Sequence, residues 1–160
     1  GRYNLQEVVI PSSVTSIAED AFKECTGLRK IVIPSSVTEI GPGAFCGCTG
    51  LRKIVIPSSV TSIGLGAFCR CTGLEDVIIC KGLKKIGLVA FADCSSLKIV
   101  HLPAGVSEFE FMWISIPFDG CDNLKAIYVP ENKVDFYKKR FPSKMHWLIV
   151  EEGSDLPVKP

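Results

Sequence analysis

The fourteen residues CTGLRKIVIPSSVT at 25–38 return unchanged at 48–61, a step of 23. A fixed short step implies a repeated local structure. Such units must stack, because no single one can bury its own apolar side. The same step places Cys25, Cys48, Cys71 and Cys94, with Cys121 following after 27. It also places Phe22, Phe45, Phe68 and Phe91, then Phe118, and Leu28, Leu51, Leu74 and Leu97, then Leu124. The four extra residues of the last step fall between Phe109 and Phe118.

Within one unit, LRKIVIP alternates at period two: Lys30 and Val32 outward, Ile31 and Ile33 inward, as in a short strand with one buried face. Pro34, without an N–H, ends that strand. SSVTEIG is expected to turn the chain and drop Val37 and Ile40 inward. AFCGC then buries Ala44, Phe45 and Cys48 in a single helical or 3₁₀ turn. Parallel strands spaced roughly 4.8 Å apart would stack these units into a short column.

The strand part L-x-x-I-x-I is the pattern of a leucine-rich repeat. Together with I-P-x-x-V-x-x-I-x-x-x-A-F-x-x-C-x-x-L it resembles the BspA-like leucine-rich repeats of bacterial surface proteins. Coils two and three match throughout, whereas the first has Ala18 in place of glycine and the fourth has Cys80 in place of proline. The resemblance implies an α/β repeat fold: a right-handed leucine-rich-repeat solenoid of about six coils with a parallel sheet on one face and a C-terminal helix-strand cap. Repeats are expected over residues 1–130, with an insertion at 110–117, and a cap over 131–150. That cap would hold a helix at 132–140, with Phe136 and Tyr137 partly covering the last coil, and a closing strand in HWLIVEE. Residues 151–160 read as a tail or linker. The resemblance also implies an exported bacterial protein, extracellular or on the cell surface, that adheres to host or neighbouring-cell components.

A chain of 160 residues suits one domain with a real core. A net charge of +1 points to neither nucleic acid nor an anionic membrane. No apolar run is long enough for a transmembrane helix. The chain opens at Gly1 within a repeat-like pattern and reads as trimmed from a longer one, so a missing signal peptide says little about compartment. Only His101 and His146 could serve as imidazole bases, and no nucleophile elbow, phosphate loop or zinc-protease motif is present. No catalysis and no cofactor are expected.

The cysteines that keep the period are expected to pack in the core. CGC at 46–48 and CRC at 69–71 superficially suggest zinc, but Cys48 and Cys71 occupy core slots and the spacing is too short. No metal is expected. Cys46 and Cys69 share an off-core slot in adjacent coils, where a bridge requires Cα atoms within about 7 Å. Outer rungs of a curved solenoid spread apart, so free thiols are expected there.

Recognition, if present, should lie on the strand face. Its outward pairs are Glu7 and Val9, Lys30 and Val32, Lys53 and Val55, Asp76 and Ile78, Ile99 and His101, and Ala126 and Tyr128. The second column is apolar for four rungs and ends in His101 and Tyr128. It reads either as a contact surface or as β-branched neighbours covering one another. Arg29, Lys30, Arg52 and Lys53 stack like on like, through duplication or as an anion-attracting patch, and Glu75 and Asp76 could pair with Arg52 and Lys53. The insertion gathers Phe109, Phe111, Met112, Trp113 and Ile114, a contact site or a satellite core. The expectation is a non-catalytic module recognising a protein, or else a glycan, through Lys30, Val32, Lys53, Val55, Asp76, Ile78, His101, Tyr128, Trp113 and Phe111. The alternative is a structural spacer or self-associating stalk without a ligand.

Overall fold

A computed structural model describes residues 5–109 and 117–158. The first five coils each contribute one strand to each of two parallel ladders, and the sixth adds a strand to the first. The first ladder holds β1 (Glu7–Val9), β3 (Lys30–Val32), β5 (Lys53–Ile56), β7 (Asp76–Ile79), β9 (Ile99–His101) and β11 (Ala126–Val129). The second holds β2 (Ser16–Ile17), β4 (Glu39–Ile40), β6 (Ser62–Ile63), β8 (Lys85–Ile86) and β10 (Glu108–Phe109). The register follows the sequence period: Ile54 pairs with Val77, and Ile17 with Ile40. The result is a parallel-sheet solenoid of about six turns with little helix.

The second ladder corrects the expectation that SSVTEIG merely turns. Its two-residue strands put Ile17, Ile40, Ile63 and Ile86 into the core. The AFCGC stretch also differs from a single helical turn. It is a run of reverse turns closed by short bonds, such as Ala44 N–H to Gly41 O at 3.3 Å and Cys48 N–H to Phe45 O at 3.1 Å. Left-handed residues recur in these turns, at Gly43, Gly66 and Val89 and again at Gly47, Arg70, Asp93 and Gly120.

The core is apolar throughout, with no buried charged side chain among the described residues. Phe22, Phe45, Phe68, Phe91 and Phe118 stack at centroid spacings of 5.0–5.5 Å, which sets the rise of the solenoid. Beside them, Cys25, Cys48, Cys71, Cys94 and Cys121 are buried, as a packing role requires. Four of the thiols point at the phenylalanine carbonyl of the preceding coil, Cys71 Sγ reaching Phe45 O at 3.1 Å. Each such thiol adds a donor from the next coil to a turn carbonyl, as at Phe45 O, which also accepts Cys48 N–H.

Close stacking explains one departure in the repeat. A Cβ on Gly41 would lie 2.8 Å from the backbone of Glu19, and one on Gly64 would lie 2.6 Å from that of Pro42. Ala18 fills the same slot in the first coil, where no described backbone stands in front of it.

At the other end, α1 (Val134–Lys138), a 3₁₀ segment (Ser143–Leu148) and β12 (Ile149–Glu151) cover the last coil. β12 extends the first ladder, pairing in parallel with β11 through Ile127–Ile149. Phe141 extends the ring stack, 6.1 Å from Phe118. Tyr137 is fully buried and its hydroxyl donates to the Pro103 carbonyl.

Candidate functional site

The strand face is built by alternation. Because Ile31, Ile54, Val77, Val100 and Ile127 fill the core, their neighbours must face outward. Backbone register aligns Val9 with Val32, Val55 with Ile78, Ile78 with His101, and His101 with Tyr128. The column is therefore continuous within each section of the ladder. Val9 is 82% exposed, Val32 62% and Val55 46%, whereas Ile78, His101 and Tyr128 are half-buried. Exposed valines in line on an open sheet are apolar surface without cover.

The column changes character at its C-terminal end. His101 and Tyr128 stack with centroids 5.2 Å apart. His101 Nδ1 lies 3.0 Å from Glu152 Oε2, and the Tyr128 hydroxyl donates to Ser154 O at 3.2 Å. The segment after β12 thus engages the two side chains that sequence reasoning singled out. Ala126, expected to face outward, aligns with Ile99 but is fully buried, so it offers no contact surface.

The charged column runs Glu7, Lys30, Lys53, Asp76 in rung order. Lys30 pairs with Glu7 at 3.4 Å, and Lys53 aligns with Asp76 in the strand register. Glu75 feels Arg52, as the sequence suggests, but its closest partner is another cation. Glu75 takes Lys98 of the following rung at 2.6 Å, while Arg52 donates to Gly73 O at 3.3 Å. The Lys98 ammonium, by its hydrogen bond and its charge, holds the Glu75 carboxyl below its ordinary range.

The ladder is interrupted between β3 and β5. β1 and β3 form one sheet, and β5, β7, β9, β11 and β12 form another. At that seam Arg29 and Lys30 meet Arg52 and Lys53, and like charges on neighbouring rungs oppose pairing. The second ladder and the turns stay bonded across the same two coils, through Ile40–Ile63 and Phe45 N–H to Ala67 O.

Phe111 and Trp113 lie outside the described residues. Among the described residues no group of three or more histidine, cysteine or acidic side chains could hold a metal ion. No helix there is long and apolar enough to cross a membrane. A cleft of about 240 Å³ opens at the first coil, lined by Val8, Ile10, Val14, Ile17, Ala21 and Phe22.

Cys46 and Cys69 overturn one geometric expectation. Both are free thiols, but the rungs carrying them do not spread, and the two Sγ atoms lie 2.8 Å apart.

Comparison with known proteins agrees with this geometry. The family described as BspA type leucine rich repeat region matches residues 1–114 in six copies. A leucine-rich repeat protein of T. pallidum is 34% identical, with a TM-score of 0.69 over 76% of this chain and 57% of its own. One from Bacteroides ovatus is 38% identical, with a TM-score of 0.65 over 79% of this chain and 32% of its own. The pneumococcal vaccine antigen PcpA, at 19% identity and a TM-score of 0.70, shares the fold. The chain thus spans little more than half of the first of these structures and about a third of the second. No curated protein sequence matches it.

Proposed function

Because the chain belongs to the BspA type leucine-rich repeat family, we propose that it is the recognition part of an exported bacterial surface protein, adhering to host or neighbouring-cell components through its strand face. The exposed valine column carries this reading: Val9, Val32 and Val55 stand uncovered on rungs whose alternate residues turn inward, Ile31 and Ile54 buried and Val8 partly so. The partner is a protein, whose apolar side chains such a column would take up. A glycan is the second choice, and the seam cations would draw its acidic groups. Lys30, Lys53 and Asp76 flank the column, Ile78, His101 and Tyr128 continue it, and Phe111 and Trp113, outside the described residues, remain candidates on sequence grounds. The module is read as non-catalytic, in keeping with a family of repeat proteins that supply surfaces and not reactive centres.

The test uses immobilised chain and panels of purified extracellular-matrix proteins and sulfated glycans. Binding energy should concentrate in a few large side chains. Alanine at Tyr128 or Trp113 should then weaken binding by about 1–2 kcal/mol, and Val32→Glu and Val55→Glu should abolish it. Full binding by all four folded variants would move the site off this face. No binding anywhere in the panel would favour a structural spacer.

A further inference from the structure

We propose that Cys46 and Cys69 form a redox-controlled disulfide site that staples the second and third coils together. This inference is independent of the partner proposed above. The thiols sit 2.8 Å apart, within about 1 Å of the ~2.05 Å bond length. Backbone bonds hold both residues in place: Phe45 N–H donates to Ala67 O at 2.7 Å, and Gly47 N–H to Cys69 O at 2.9 Å. The neighbouring rings Phe45 and Phe68 are 5.0 Å apart. Coils stacked at the roughly 4.8 Å spacing of parallel strands lie inside the ~4.4–6.8 Å Cα window of disulfides, so closure is mainly a side-chain rotation.

Within this column of the repeat the two cysteines have only each other. The equivalent slots in the coils on either side hold Lys23 and Ala92. The period-keeping thiols Cys48 and Cys71 are buried and directed at phenylalanine carbonyls. Cys46 and Cys69 are only half-buried, so an oxidant can reach them. The location is also informative. These two coils are the ones whose strand ladder is interrupted at the β3–β5 seam. A covalent link on the turn side would hold together the pair of coils that lacks ladder bonds on the strand side.

The oxidant is a small-molecule or protein disulfide. The Cys46 thiolate attacks one of its sulfurs, forming a mixed disulfide and releasing one thiolate, which takes a proton. Cys69 then loses its proton and attacks Cys46 Sγ, forming the Cys46–Cys69 bond and expelling the second thiolate. Two protein thiols are oxidised and one disulfide is reduced to two thiols. Burial, followed by the hydrogen bond with Cys46, pushes the Cys69 thiol up to about 12. Cys69 therefore suits the second step, after Cys46 has left that hydrogen bond.

The experiment equilibrates the full chain with oxidised glutathione, then denatures it and titrates thiols. Two of the eight cysteines should disappear without bound glutathione, and mass spectrometry should find residue 46 joined to residue 69. Cleavage after Arg70 separates Cys69 from Cys71. The oxidised chain should melt several degrees above the reduced one, and Cys46→Ser and Cys69→Ser should each abolish that difference while folding normally. Eight titratable thiols after oxidation, glutathione adducts alone, or a different pairing would overturn the site. A bond that forms without raising the melting temperature would overturn the staple.

Discussion

Val89 holds a φ of 50°, in the left-handed region that β-branched residues avoid, and glycine occupies the same turn position at 43 and 66. The penalty for an L-residue there is about 1–2 kcal/mol. Val89→Gly should therefore raise stability, by about 1 kcal/mol after the entropy cost of glycine, read as a higher denaturant midpoint. A lower midpoint would mean that the valine's packing outweighs its strain. This column was hidden in the sequence, because Asp20, Gly43, Gly66 and Val89 share a conformation but not a residue type. The cysteine column was legible because burial admits few alternatives, and burial also sets its chemistry. It pushes the Cys48 thiol from 9.0 up to about 12. An unfolded chain releases that proton near pH 9, a folded one only near 12, so above pH 9 deprotonation favours unfolding. Stability should be complete below that point and decline above it, at about 1.4 kcal/mol per pH unit for each such thiol. Urea midpoints of the reduced chain near neutrality and about one unit above pH 9 test this. An unchanged midpoint would contradict the burial argument.

The cap is a remodelled coil. It keeps one strand in the ladder and one ring in the stack, while α1 and the 3₁₀ segment replace the turns. Sequence reasoning placed its helix at 132–140, and the structure forms Val134–Lys138. Phe141 stands 23 residues beyond Phe118 and so keeps the period. It is hard to read because no leucine or cysteine column accompanies it. The two-residue strands β2, β4, β6, β8 and β10 escaped for a related reason. An alternation of two cannot show in two residues, and only the neighbouring coils make such a segment a strand. Tyr137 ties this element to the repeats through the Pro103 carbonyl. Tyr137→Phe should leave that carbonyl unpaired and cost about 1–3 kcal/mol. Deleting 131–150 should go further, exposing Phe118 and Ile127 and driving aggregation. Light scattering and thermal melts separate these outcomes; a monomeric truncation with an unchanged melt would mean that the segment does not act as a cap.

At the scale of the whole molecule, sequence reasoning located the face but not its cover. Alternation identified which residues point outward, except at Ala126, which is buried. It could not show that residues 152–154 reach His101 and Tyr128, because no period connects positions so far apart. Charge partners were equally out of reach, since Glu75 has cations on the rungs before and after it and side-chain packing chose Lys98. For the proposed surface, Lys53→Glu should mainly slow association with an acidic partner, and the difference from wild type should shrink as salt rises. Association rates at two ionic strengths measure it; an effect confined to dissociation would place Lys53 in the contact itself. The open seam between β3 and β5 has a mechanical counterpart. Tension along the solenoid axis loads the bonds between coils in series, so this junction, held by the second ladder and the turns without strand pairing, should be a weak one. Pulled from its ends, the reduced molecule should part between its two near-identical coils and extend as two shorter springs.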